Sequence, residues 1–291
     1  MKRLICDIFT CFGMALVVGI FLLTAFKAGY DSGLESAQQQ ILTINPFAQN
    51  PINAREPLSD GEEYEYPASV CFVPSDLSKE ELAIYMQIIQ NIYHMNSVFQ
   101  IDGTSYTQLQ QLLEFATNSP DVFWVNGPML IQKQTTKDER TYVVSVQYTT
   151  SREKRDEIIA QIENIASSII NREFESAEKA SKEICDWLKK YSQYAYAAPR
   201  VPDITHETSH ILGPLLEGRA ICSGYAKTMS YLLGYAGYAS GYCIGWDEMG
   251  NYHAWNEIEN TQYIDPTKAV VQKNMKNSKL KLEKIFRYTP Y

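Results

Sequence analysis

The chain opens on an apolar run from Leu4 to Phe26, in which only Asp7 carries charge, with Lys2 and Arg3 ahead of it. In a helix rising about 1.5 Å per residue, that run is long enough to cross a hydrocarbon core about 30 Å thick. Lys2 and Arg3 favour a cytoplasmic N-terminus, a bias that Lys27 on the far side weakens. We expect residues 1–30 to hold an uncleaved membrane anchor, because no small-x-small cleavage site follows. The alternative is a cleaved signal peptide, since the uncharged core Phe12 to Phe26 is only a little longer than a typical h-region. Both readings predict that the rest of the chain is exported, either anchored or secreted.

Beyond this run the pattern becomes polar and irregular over 31–67, with Gln38, Gln39 and Gln40 in a row and prolines at 46, 51 and 57. Such a stretch buries too little to order itself, and it reads as a linker or stalk. Periodicity returns near Val70. Ser78 with Glu81 three residues later is a capping-box pattern, and Leu82, Ile84, Tyr85, Ile88, Ile89 and Ile92 then recur at helical spacing. Ser105 with Gln108 opens a second helix that should stop at Ser119-Pro120. Val122 to Val125 reads as a buried strand, and Tyr142 to Tyr148 as a partly alternating one. Helices follow over about Arg152–Asn171 and Ser176–Tyr191. We take 68–180 as a smaller α/β region.

The region 181–291 has a different texture, with glycines at 213, 218, 224, 234, 237, 241, 245 and 250 punctuating short elements. Its pattern predicts a helix starting at or just after Cys222 and ending before Gly237. Strands over Tyr238–Ile244, Tyr252–Ile258 and Gln262–Ile264 follow, the last ending at Asp265-Pro266. The composition, 45% hydrophobic and 21% charged over 291 residues, suits one large folded unit or two small ones. A net charge of −8 argues against a nucleic-acid partner, since phosphate contacts need a basic surface. The basic residues Lys276, Lys279, Lys281, Lys284 and Arg287 read as a solvated face.

Among these elements one set of side chains can carry chemistry. A thiol attacks a carbonyl as thiolate, and the first turn of a helix favours negative charge through its unpaired N–H groups and its macrodipole. Cys222 stands at such a position. His253 can take its proton, and Asp265 can fix the imidazole's tautomer, because the two lie on strands joined by a short turn and can be cross-strand neighbours. Of the six cysteines, Cys6 and Cys11 fall in the apolar run. Cys71, Cys185 and Cys243 remain as buried apolar residues or as partners in a disulfide, and a disulfide to Cys222 would disable the thiol. His94 and His206 read as structural, and Tyr191, Tyr194 and Tyr196 as surface or rim packing. No metal-ligand spacing and no phosphate-cradling glycine loop occurs, so neither a metal nor a nucleotide cofactor is expected.

Cys222-Ser-Gly-Tyr-Ala226, His253-Ala-Trp-Asn-Glu-Ile258 and Tyr263-Ile-Asp-Pro-Thr267, in that order, resemble the transglutaminase-like superfamily, including its bacterial extracytoplasmic members. The lead-in Ser209 to Gly218 is similar to that of the same group, and Pro120 to Trp124 resembles sequence that precedes the core in some exported members. The resemblance implies an α+β papain/transglutaminase-like core, a cysteine-headed helix on an antiparallel sheet. It implies Cys222 as nucleophile, His253 as general base and acid, and Asp265 as the orienting residue. The backbone N–H of Cys222 is the natural first oxyanion donor, with His210 and Tyr225 as candidates for the second. Trp255 and Asn256 are expected to pack and position the strand.

The implied activity is thioester formation from a peptide or glutamine side-chain amide. Water would then make the enzyme a peptidase, amidase or deamidase, and an amine would make it a crosslinker. Export would bring cell-wall peptides and surface proteins within reach. The competing expectation is a non-catalytic module that binds a peptide or partner at the cell surface.

Overall fold

The computed structural model describes residues 71–133, 141–195, 207–259, 262–268, 270–272 (backbone only) and 280–290. The expected anchor or signal (1–30) and stalk (31–67) lie outside the described residues, as do Tyr196, His206, Lys276 and Lys279. Among the described residues no helix is long and apolar enough to cross a membrane. All of them fall within one compact unit, Glu63–Tyr291.

The described residues begin with β1 (Phe72–Pro74), α1 (Lys79–Tyr93), β2 (Val98–Ile101), α2 (Tyr106–Asn118), β3 (Leu130–Lys133) and β4 (Tyr142–Ser145). It continues through α3 (Arg152–Ile169), α4 (Ala177–Tyr191), β5 (Gln193–Tyr194), β6 (Arg219–Ala220) and α5 (Cys222–Tyr235). The last elements are β7 (Ser240–Trp246), β8 (Tyr252–Ile258), β9 (Gln262–Asp265), β10 (Val270–Gln272) and β11 (Lys281–Pro290). Six strands form one antiparallel sheet in the order β1-β11-β7-β8-β9-β10, and β2-β4-β3 form a second sheet. The result is a mixed fold of helices and antiparallel sheet.

Local chemistry sets the helix starts. Ser78, Ser105, Ser151 and Ser176 each accept a hydrogen bond from the N–H three residues on, satisfying a donor that the helix itself leaves open. Around Ser78 the capping box is complete, with Glu81 reaching back to the Ser78 N–H. Gln108 does not complete one, because its side chain is engaged by Thr104 and Glu81. The expected helix stripe Tyr85, Ile88, Ile89 and Ile92 is buried, each such side chain contributing about 1.5–3 kcal/mol.

One expectation is corrected here. Val122 to Val125 is buried throughout but is not a strand, and its sole sheet-like contact is an isolated bridge from Val125 to Tyr148. The run is apolar because it is enclosed on all sides. Trp124 packs edge-on against Tyr93 and Phe123, lies under the Arg155 guanidinium at 5.3 Å, and donates its indole N–H to the Ile92 carbonyl.

Of the basic residues near the C-terminus that are described, Lys281 is exposed and Lys284 and Arg287 are partly exposed. Lys281, Lys284 and Arg287 lie on β11, a ten-residue strand between β1 and β7. Arg287 Nε lies 2.6 Å from Oε2 of the buried Glu257, and Lys284 pairs with Glu114. A bulge between Leu282 and Lys284 sits against Gly245, where an added Cβ would come 2.1 Å from the Lys281 carbonyl oxygen. Glycine is required there by that close approach of backbone.

Helix α5 is buried along Gly224 to Gly234, polar positions included, so it runs through the interior instead of lying on one face. Asn256 on β8 ties it to the large sheet, with Nδ2 donating to the Ala226 carbonyl and the Ser230 hydroxyl, each at 2.9 Å. This agrees with the positioning role expected of Asn256.

Candidate active site

Cys222 is the first residue of α5, and the helix differs from the four before it in having no side-chain cap, its N-cap residue being Ile221. The first-turn N–H groups are therefore left to whatever stands in front of them. The chain before the cysteine is locked in place by backbone contacts. The Ile221 N–H donates to the Thr208 carbonyl at 3.0 Å. An added Cβ at Gly224 would lie 2.4 Å from that same oxygen, so only glycine lets the 207–209 turn press against the first helical turn. A single turn of π-helix at Gly213–Glu217 ends on Gly218 at φ 65°, which redirects the chain into β6.

Strand β8 supplies His253 and β9 supplies Asp265. Asn256 opposes Ile264 and Glu257 opposes Tyr263, so the register continued by one step puts Trp255 opposite Asp265. His253 is thus a diagonal neighbour of the aspartate on the same side of the ribbon, a distance its long side chain spans. Nε2 of His253 lies 2.9 Å from Asp265 Oδ2. This leaves Nδ1 as the ring nitrogen for the thiol, and His253 and Cys222 are hydrogen-bonded through their side chains. Trp255 is fully buried and stacks with the imidazole at 6.3 Å, packing as expected. The other oxygen of the aspartate, Oδ1, accepts from the Thr267 hydroxyl at 2.6 Å and the Thr267 N–H at 3.1 Å.

The electrostatics follow from these contacts. Burial by itself would raise the Cys222 thiol, but the hydrogen bond and charge of His253, the Ala254 N–H and the Tyr194 hydroxyl outweigh it and hold the pKa below the ordinary thiol value. Burial pulls the other way on His253, yet its bonds to Asp265 and Cys222 raise it to about 9. Asp265 is pushed up by burial and brought below the usual carboxylate range by His253, Thr267 and Lys268. The arrangement favours a thiolate–imidazolium pair braced by a carboxylate. Cys185, Cys222 and Cys243 are free thiols, so no described disulfide occupies Cys222. Burial pushes the Cys185 thiol up to about 12 and raises that of Cys243 as well, so both contrast with Cys222.

Tyr194 corrects another expectation, because it is a component of the site and not rim packing. It lies on β5, whose parallel pairing with β6 sets Tyr194 beside Ala220, two residues before the cysteine. Its hydroxyl is hydrogen-bonded to Cys222, and its ring stacks on Tyr225 at 6.1 Å. No motif in the sequence marks it. Tyr191 is exposed, as expected of a surface residue.

These shifts set the pH behaviour of the thiol. Iodoacetamide alkylation of Cys222 should rise with pH about a midpoint below that of a free cysteine, about 8.5. In His253→Ala the hydrogen bond and charge of the imidazole are lost while burial, the Ala254 N–H and the Tyr194 hydroxyl remain, so the midpoint should move upward. Mass-spectrometric labelling rates at a series of pH values would check this, and an unchanged midpoint in the variant would contradict the ion pair.

Residues 163–265, which contain Cys222, His253 and Asp265, match the family model of the transglutaminase-like superfamily. This stretch is a transglutaminase-like domain. A comparison with curated proteins gives no match. Among solved structures, the chain is similar to a TGase at 13% identity and TM-score 0.36, over 58% of this chain and 50% of that one. It is similar also to calcium-bound LapG of Legionella pneumophila, at 11% identity and TM-score 0.35, over 46% and 78% of the two chains. A candidate cysteine protease from Cytophaga hutchinsonii is similar at 12% identity and TM-score 0.29, over 57% and 75%. The chain spans half the length of the TGase.

Proposed function

We propose that this protein is an exported or membrane-anchored cysteine acyl-transfer enzyme acting on peptide or glutamine side-chain amides, with its catalytic core in residues 181–291. The observation that carries this reading is the hydrogen-bonded series Cys222, His253, Asp265, with the thiol at the uncapped N-terminus of α5. His253 Nδ1 takes the thiol proton, and Asp265 holds the imidazolium through Nε2. The sulfur then bonds to the amide carbon, and the carbonyl electron pair moves to oxygen, which faces the Cys222 N–H. Collapse of this intermediate breaks the C–N bond, the amine leaves with the proton from His253, and a thioester remains on Cys222. Attack by water makes the enzyme a peptidase, amidase or deamidase; attack by an amine makes it a crosslinking transferase. The apolar segment Leu4 to Phe26 supports placement outside the membrane, where cell-wall peptides and surface proteins are the accessible substrates.

The test is incubation of the 291-residue chain with a peptide library and a primary amine, read by product mass. New peptide termini signify hydrolysis of the backbone, conversion of glutamine to glutamate signifies deamidation, and amine adducts signify transfer. No product with any peptide, despite a labelled Cys222, would overturn the enzymatic reading in favour of a binding module.

A further inference from the structure

An acyl-transfer site of this kind needs a second donor for the oxyanion, because one N–H does not satisfy an oxygen carrying a full charge. The first turn of α5 offers the Cys222 N–H, and Tyr194 is the side chain that stands in front of it. Three features hold this tyrosine there. The β5–β6 pairing is fixed by the Gln193 N–H donating to the Gly218 carbonyl and the Ala195 N–H donating to the Ala220 carbonyl, each at 2.8 Å. Stacking on Tyr225 fixes the plane of the ring. The hydroxyl makes two bonds to Cys222, donating to Sγ and accepting from the backbone N–H.

The second of those bonds is informative. An oxygen atom already sits at the cysteine's backbone donor, the place a substrate oxygen must occupy when sulfur attacks its carbon. We propose that Tyr194 is the second oxyanion donor of this site, a reading that rests on the acyl-transfer function proposed above. In the resting protein its hydroxyl bridges Sγ and the Cys222 N–H. When an acyl group enters, the carbonyl oxygen takes the N–H, and the tyrosine O–H turns from sulfur to that oxygen. Negative charge moves in the same direction during attack, from sulfur to oxygen, so one donor follows it across the reaction with a small rotation. No proton is transferred, since burial and the neighbouring thiolate keep the phenol protonated throughout the working range. This assigns to Tyr194 the role for which His210 and Tyr225 were the candidates in the sequence.

Two reagents separate this role from a merely supporting one. Acylation of Cys222 by p-nitrophenyl acetate passes through a tetrahedral oxyanion, whereas alkylation by iodoacetamide does not. Tyr194→Phe should slow acylation by about 10²–10³-fold while changing alkylation less than about tenfold, which also reports a folded site. Placing p-aminophenylalanine at position 194 restores a donor and should recover part of the acylation rate. Equal slowing of both reactions, or acylation as fast as in the unaltered protein, would overturn the assignment to Tyr194 alone. If the unaltered protein is alkylated at Cys222 but never acylated, the acyl-transfer reading itself fails and takes this one with it.

Discussion

Cys222→Ala should abolish acyl transfer, lowering kcat/KM by about 10⁶-fold or to the background of the assay, the scale seen when a hydrolase loses its nucleophile. The remaining groups can still hold substrate and present donors, but no covalent intermediate forms. Alanine keeps the helical start intact, so the melting temperature should move little. Cys222 is only partly buried, and the substitution removes one sulfur whose contacts are with His253, Ala254 and Tyr194. The informative comparison is turnover beside thermal unfolding on the same preparation. Turnover within tenfold of the unaltered protein would remove Cys222 from the mechanism, whereas lost turnover with a collapsed melting temperature would point to damage of the fold.

Asp265→Asn should cost about 10⁴-fold in kcat, the effect of an inverted imidazole tautomer in a triad. The structure gives the reason. Oδ1 of Asp265 already accepts two donors, the hydroxyl and the N–H of Thr267. An asparagine must keep its carbonyl oxygen at that position, because its NH2 group there would face two donors. The NH2 group then points at His253 Nε2 and makes that nitrogen an acceptor. The ring proton moves to Nδ1, which faces Cys222 and can no longer take the thiol proton. The charge holding His253 up at about 9 is lost as well, so the thiolate–imidazolium pair is lost from both sides. Nitrogen chemical shifts of the imidazole would report the tautomer directly. An asparagine variant within tenfold of the parent, or one retaining its proton on Nε2, would sink this role for Asp265.

Much of the site could be read from residue order because its parts are local. A helix beginning at Cys222 follows from the apolar and small residues after it and the glycines that bound it, and the observed helix is Cys222–Tyr235. The strand Tyr252–Ile258 agrees to the residue, and Gln262–Asp265 to within one. The caps at Ser78 and Ser105 were legible for the same reason, since the cap and the N–H it accepts are three residues apart. β7 was expected two residues too early, because Tyr238 and Ala239 continue the apolar texture although the ladder starts at Ser240.

Where the pattern misled, distant partners made the difference. The ion-pair partners of the basic residues on β11 could not be read from the pattern, because Glu114 and Glu257 lie far away in the chain. Val122 to Val125 looked like a strand because apolar runs signal burial, and burial alone does not specify a ladder.

The sequence by itself determined the residue types of the candidate site, their order, and the helix and strands that present them, because those depend on neighbours a few positions apart. Tertiary structure alone decided that His253 meets Asp265 on the diagonal, that Thr267 occupies the second carboxylate oxygen, and that Tyr194 stands over the cysteine. Each of these depends on strand register or on a parallel pairing across a long connection. Such pairings are selected by the packing of the whole unit, and no local pattern encodes them.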